Sequence, residues 1–343
     1  MPSILWCWQT EAEIRLALRA FGKTPAPVSY THLDVYKRQI YNNAIMERYF
    51  ALDSNASGLT SVDEINSFEK LKTVVEDMTK NKDALGIKGV FASTSLKPGE
   101  DWRWQTHLAN VPVYYEFEED GTDLSSDATK TITFRYNEEY KNIFDLYLNN
   151  STTDPKLLGS KQVMDSMAEF ALGQCAMVQN GNWAWGNMKE VQGNTVKEED
   201  IGFLPIYMGI DGEESQGLCI GTENFFAINS QVSEEKQKLA EDFIYWLYSS
   251  DTGKDFVTNQ LNFIAPFDTF EESERPADPL AKEVLEWMER DGITNIPWNF
   301  TVFPSQTFKD DFGAALLQYA QGTKDWNAVK TLFVDEWKSE SAA

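Results

Sequence analysis

Two closely spaced tryptophan pairs hold the residue types best suited to recognising a solute. Trp102 and Trp104 sit in DWRWQTHLAN beside Asp101, Arg103, Gln105 and His107. Trp183 and Trp185 sit in QNGNWAWGN beside Gln179, Asn180, Asn182 and Asn187. An indole offers a flat apolar face with one polar edge, which suits the C–H side of a sugar ring. Amides and charged groups supply donors and acceptors for its hydroxyls. A lone Trp is most often a core residue. Two polar-flanked pairs that follow Gly or Asp turns move the balance toward a binding site. His107 joins the candidates, although a single histidine is more often a satisfied structural one. Trp246, Trp287, Trp326 and Trp337 fall on amphipathic stretches, where core or half-buried packing is expected.

Other chemistry finds little support. The three cysteines (Cys7, Cys175, Cys219) are scattered and the histidines number two, so neither a disulfide framework nor a histidine-rich zinc site is read. HExxH, GxxxxGK[ST], GxSxG and GxGxxG are all missing from the chain. The expectation is no catalytic residue, no cofactor and no metal. With 54 acidic residues a general-acid pair can always be picked out, so carboxylates alone point nowhere. Glu198–Asp200 and Glu271–Glu272 read as solvated loop charge. The Asn-x-Ser/Thr sites at Asn55, Asn150 and Asn299 are expected by chance.

The formal net charge is −24 over 343 residues, which disfavours nucleic acid and anionic membrane surfaces as partners. Residues 1–39 depart from this balance, with three acids (Glu11, Glu13, Asp34) and five bases (Arg15, Arg19, Lys23, Lys37, Arg38). Their net is +2, against −26 for the remainder. Met1–Trp8 lacks a base, and Glu11 and Glu13 interrupt the residues after it, so no signal peptide is read. VSYTHLDVYKRQ at Val28–Gln39 matches the translation of two back-to-back transposon end sequences used in preparing sequencing libraries. Residues 29–39 are therefore expected to be an assembly artefact, with unrelated or misframed sequence before them. Reading the underlying codons checks this: they must form the inverted repeat.

From residue 40 onward, elements alternate. Ser61–Lys80 reads as a helix with a Ser61/Glu64 capping box and Val62, Ile65, Phe68, Leu71, Val75 and Met78 at helical spacing. Gly86–Thr94 reads as a buried strand, Asp101–Asn110 as a helix and Thr131–Tyr136 as an alternating strand. Helices are expected over Glu138–Asn149 and over Ser160–Leu172, the latter closed by Gly173. Cys175–Gln179, Gly202–Ile206 and Leu218–Asn229 read as strands. Ser233–Ser249 reads as a helix with Leu239, Phe243, Trp246 and Leu247 inward. Asp278 and Pro279 open another that runs to Arg290. Ile293–Phe303 is extended, and Pro304–Gln321 and Asp325–Ser339 are final helices. Strands alternating with helices make the class α/β.

These residues carry a resemblance. CAMVQNGNWAWGN, then IGFLPIY, GLCIGTENFFAINS and a helix ending WLYSSDTGKDFV, resembles the extracellular solute-binding proteins of family 1, the maltose-binding-protein-like sugar receptors of ABC importers. FIAPF, FPSQTFKDDFGAAL and IYNNAIMERYFAL fit the same pattern, so the resemblance covers 40–343. It implies two α/β lobes of the type II periplasmic-binding-protein kind, joined by crossing strands, with the ligand closed between them. By that resemblance 40–201 is lobe two, 202–290 the remaining part of lobe one and 291–343 the return to lobe two. The strands that open lobe one, on the order of 100 residues, would lie upstream of Ile40. The signal peptide and any lipid-anchoring cysteine would lie there too. Without those strands a sheet edge and an apolar face would be left uncovered.

By position, Trp183 resembles the family's sugar-stacking aromatic, with Asn182 and Trp185 beside it. Trp102, Trp104 and His107 resemble the segment that supplies lobe-two aromatics, and Phe308 a further contact. Glu223 and Asn224 would supply polar groups near a crossing strand. The resemblance implies a monomeric, non-enzymatic receptor, extracellular or periplasmic. Its partners would be a sugar or oligosaccharide and the permease subunits. A glycoside hydrolase, or a receptor for a peptide or other non-sugar solute, stays open as an alternative.

Overall fold

The computed structural model describes residues 33–34, 38–222, 226–261, 263–265, 267 and 270–342. The reading of 1–39 as foreign therefore falls mostly outside the described residues. Leu33 and Asp34, which form a two-residue strand, and Arg38 and Gln39, which belong to the strand Arg38–Asn42 (β2), are the exceptions. Gln39 is buried there and accepts the Tyr147 hydroxyl at 2.6 Å, so the fold takes in residues on the head side of the 39/40 boundary.

The chain forms two compact units. The larger holds Tyr36–Ile220 and Glu283–Ala343; the smaller holds Gly221–Lys282 with the strand Leu33–Asp34 (β1). The chain thus passes between them at 220/221 and 282/283, against 201/202 and 290/291 on the sequence reading. The strand Ile201–Leu204 (β5) stays in the larger unit because it pairs antiparallel with β2, Phe203 opposite Ile40.

In the larger unit the order is β3-β4-β2-β5, where β3 is Gly89–Phe91 and β4 is Cys175–Asn180. β4 runs parallel to β3 and antiparallel to β2. Every residue of β4 is buried, as its unbroken apolar start leads one to expect for a central strand. The helix Phe68–Lys80 buries Leu71, Val74, Val75 and Met78, and Asn137–Asn149 buries Tyr140, Ile143, Phe144 and Tyr147. The last two helices, Gln306–Ala320 and Trp326–Glu340, close the core with Phe308, Phe312, Phe333 and Trp337. A second sheet has the order β1-β6-β7, with β6 Gln216–Thr222 and β7 Thr294–Pro297.

Three expectations need correction. The helix read from Ser61 starts at Phe68: Val62–Glu64 is a separate tight turn, and Ile65 leaves helical geometry. Ser67, not Ser61, is the cap, its hydroxyl accepting from the Lys70 amide. Thr131–Tyr136 is not a strand. Ile132 and Phe134 are buried alternately, but the Thr133 and Arg135 amides donate to the Glu116 carboxylate instead of to a neighbouring strand. In the smaller unit the helix Glu234–Ser249 turns Leu247 and Tyr248 inward, while Leu239, Phe243 and Trp246 are exposed by 58%, 44% and 44%. Phe243 and Trp246 stack on each other at 5.9 Å on that open face. The core of the smaller unit is correspondingly small, with Leu247, Tyr248 and Val257 at its centre.

Elsewhere boundaries move by a few residues. The strand read over Gly86–Thr94 is three residues long, and Ser160–Leu172 shortens to the helix Val163–Ala171 with Gly173 in the left-handed region at φ +66°. Asp278 caps its helix as expected, its carboxylate accepting from the Leu280 and Ala281 amides.

Candidate functional site

The site is built at the end of β4. Beyond Val178 the strand carries Gln179 and Asn180, then Gly181, Asn182 and Trp183 before the short helix Ala184–Lys189. Beside it lies the wide turn Arg103–Leu108, which continues into the helix Asn110–Glu119. Pro112 has no N–H to give the Leu108 carbonyl, so the wide turn closes at Leu108 before the regular helix begins. Side chains tie the two segments together. Gln179 Nε2 donates to the Arg103 carbonyl at 3.2 Å, and Arg103 Nη2 donates to Asn180 Oδ1 at 3.0 Å. The Gly181 amide donates to the same oxygen at 2.9 Å.

This frame gathers three of the candidate rings. Trp102 lies 6.0 Å from Trp183 and 4.4 Å from His107, and His107 lies 6.4 Å from Trp183, centroid to centroid. Trp102 and Trp183 are half-buried, whereas His107 is buried. Gly181 is what admits Trp183: a Cβ there would stand 2.1 Å from indole Cζ3. On the Trp102 ring the Arg103 guanidinium sits 3.9 Å from the centroid.

The remaining candidates are placed differently. Trp104 is 1% exposed, donates Nε1 to the Ser95 carbonyl at 2.9 Å and packs edge-on to Phe144 and Tyr147. Phe308 is fully buried among Phe312, Phe333 and Trp337. Trp185 and Asn182 are buried as well. Trp104, Trp185 and Phe308 are thus enclosed in this structure. Glu223 and Asn224 lie outside the described residues.

The structure adds two rings that the sequence reading passed over. Trp298 stands 5.6 Å from His107, and Phe300 stacks on Trp298 at 5.2 Å. Both are half-buried. Asn110 holds their turn, accepting from the Asn299 amide at 2.8 Å and donating to the Pro297 carbonyl at 3.1 Å. The Trp298 amide donates to the Ile220 carbonyl at 3.1 Å. Trp298-Asn299-Phe300 repeats the aromatic-x-aromatic spacing of the two Trp pairs, which was the available signal.

Burial sets the electrostatics. The Arg103 guanidinium is pushed down to about 9, with Glu100 opposing the shift, and its Nε and Nη1 have no hydrogen-bond partner among the described residues. Asp101 is pushed up to about 6 by burial, its hydrogen bonds opposing and Asp310 reinforcing. Its carboxylate packs against Gly313, where a Cβ would stand 2.1 Å from Oδ2. Because the folded value lies above the unfolded one of about 3.9, ionised Asp101 opposes folding. That penalty is absent below about pH 4 and complete once pH has risen through about 6. Asp101→Asn is therefore expected to stabilise the protein by about 1 kcal/mol at pH 7.5 and not at pH 4. Thermal unfolding at both pH values checks this. An equal gain at both would show that the carboxylate charge is not the cause.

Half-buried indoles held in place by buried amides can take the apolar face of a neutral, hydroxyl-rich solute by stacking. A family model described as bacterial extracellular solute-binding protein matches residues 35–283. The chain belongs to that family. Solved structures agree with the fold. A chitin oligosaccharide binding protein superposes with a TM-score of 0.68 at 16% identity, covering 96% of this chain and 78% of that one. A manno-oligosaccharide specific solute binding protein from Bifidobacterium animalis subsp. lactis, in complex with mannotriose, gives 0.56 at 14%, covering 97% and 74%. A maltose-bound protein of T. maritima gives 0.57 at 15%, covering 92% and 74%. No curated protein sequence matches the chain. This solute-binding protein thus has the two-lobe α/β fold that the resemblance over residues 40–343 led one to expect. Among its described residues no helix is long and apolar enough to cross a membrane.

Proposed function

We propose that this solute-binding protein is the carbohydrate receptor of a bacterial ABC importer, working outside the cytoplasmic membrane and handing its sugar to the permease. The larger unit then corresponds to lobe two and the smaller belongs to lobe one, with the protein tethered as a lipoprotein or free in a periplasm. One observation carries the reading: Trp102 and Trp183 are half-buried 6.0 Å apart, on segments tied together by the buried amides of Gln179 and Asn180. The solved structures described as binding chitin oligosaccharide, mannotriose and maltose support it through their shared fold. Binding alone is the task; solute is released chemically unchanged.

The test is a thermal-shift panel of chito-, manno-, malto- and xylo-oligosaccharides against peptides, followed by a product assay. A bound sugar at a hundred times its Kd should add about 2.7 kcal/mol of stability, with no shortened product. Stabilisation by peptides alone overturns the reading in favour of a peptide receptor. Accumulating shorter sugars overturns it in favour of a hydrolase.

A further inference from the structure

Arg103 is a buried cation without a matching anion. It is 1% exposed, and among the described residues no carboxylate oxygen lies within ion-pair distance of it. Nη2 donates to Asn180 Oδ1, a neutral acceptor, at 3.0 Å, while Nε and Nη1 have no partner among the described residues. Burial lowers the guanidinium only to about 9, so it keeps its charge at neutral pH. A charge taken out of water in this way is costly until an opposite one meets it.

The neighbouring acids are engaged elsewhere. Glu100 acts on Arg103, but its carboxylate accepts from Lys97 Nζ at 3.1 Å and from the Val163 amide at 2.7 Å. Asp101 turns its carboxylate to Gly313 and Gln105. The uncompensated charge also lies against the candidate site. The guanidinium carbon is 3.9 Å from the centroid of the Trp102 ring, and Trp102 is half-buried. A solute touching that ring comes within about 10 Å of the charge. With an effective dielectric of about 20, attraction between unit charges at that separation is worth on the order of tenfold in affinity. The formal net charge of −24 opposes an anionic solute at long range. Salt screens that repulsion beyond about 8 Å, whereas a buried charge is screened much less.

We infer that the solute received beside Trp102 is an acidic sugar, drawn by the unneutralised charge of Arg103, with uronic acids the plainest case. This rests on the carbohydrate reading above and names the class of its ligand. The indole takes the apolar face of a sugar whatever its charge; Arg103 selects among sugars.

Calorimetry on the full chain tests it with trimannuronate, trigalacturonate and triglucuronate. Each is paired with the neutral trisaccharide that has CH₂OH in place of the carboxylate. Wild type should bind at least one uronide about three- to tenfold more tightly than its neutral partner. Arg103→Gln should bring that ratio to about one. Asn180→Asp keeps the guanidinium but sets a carboxylate against Nη2, and it should abolish the preference too. Because each ratio is taken within one protein, a general loss of folding does not imitate the result, and Asn180→Asp decides if Arg103→Gln fails to fold. A wild-type ratio near one, or a ratio that survives the substitutions, overturns the acidic preference and leaves the receptor reading intact. So does wild type that binds neutral sugars and no uronide. If no sugar of either kind binds, both readings fall together.

Discussion

Trp183→Ala is expected to weaken sugar binding by at least tenfold while costing little stability. The ring is half-buried and rests against Gly181, so its removal takes away contact surface for a solute without opening a core cavity. A well-packed Trp at the centre of an interface typically contributes about 2 kcal/mol or more, some thirtyfold in affinity. Gly181→Ala should lose affinity comparably although the Trp183 side chain is kept. Its new Cβ would lie 2.1 Å from Trp183 Cζ3, far inside contact distance, so the ring must swing away. Trp104→Ala provides the contrast. That ring is enclosed by Phe144 and Tyr147 and bonded to Ser95, so its truncation should cost about 3–5 kcal/mol of stability before binding is even at issue. Calorimetry beside denaturant unfolding separates these effects. Wild-type affinity in Trp183→Ala would remove this ring from the site.

The same contrast shows how far the sequence could be read. Both Trp pairs drew attention by type and by polar neighbours, and the region they mark is where the rings converge. Within each pair, however, only one ring faces outward. Trp102 and Trp183 are half-buried, Trp104 and Trp185 buried, because both pairs fall in helical turns. At 3.6 residues per turn, positions i and i+2 lie on nearly opposite sides. The sequence reading put both rings of each pair forward, and spacing could not say which would meet the core. The answer depended on Ser95 accepting the Trp104 indole and on Gly181 making room for Trp183.

Long-range partners account for most other differences. Trp298 comes to His107 because Asn110, nearly two hundred positions earlier, holds its turn, and nothing local announces that. Phe308 sits at the start of a helix, where a ligand contact was reasonable, but Phe333 and Trp337 of the next helix enclose it. In Glu234–Ser249 the periodicity correctly marked an amphipathic helix. It could not say which part of the apolar stripe would be covered: Leu247 and Tyr248 find partners in the smaller unit, while Leu239, Phe243 and Trp246 stay open.

Glu116→Ala is expected to cost about 2–4 kcal/mol of stability. Glu116 is 2% exposed and takes the place of an absent strand. Oε1 accepts the Thr133 amide at 2.6 Å and the Thr133 hydroxyl at 2.7 Å, and Oε2 accepts the Arg135 amide at 2.7 Å. Between those amides Phe134 is forced to φ +53°, an unfavourable region for a bulky residue. The strain is tolerated because the Phe134 ring stacks on Phe333 at 3.9 Å, joining this loop to the final helices. Alanine would orphan both amides at once and release Phe134 from its conformation. Glu116→Gln keeps one acceptor oxygen but turns an N–H toward the other amide, so it should fall between. The Arg135 ion pairs with Glu119 and Asp120 are exposed and can compensate little, since such pairs contribute below about 1 kcal/mol. Urea unfolding of the three proteins gives the order directly, wild type above Gln above Ala. If Ala stays within about 0.5 kcal/mol of wild type, the usual range for an unremarkable surface change, the carboxylate does not hold the loop. The alternating burial of Ile132 and Phe134 would then owe its persistence to Phe333 alone.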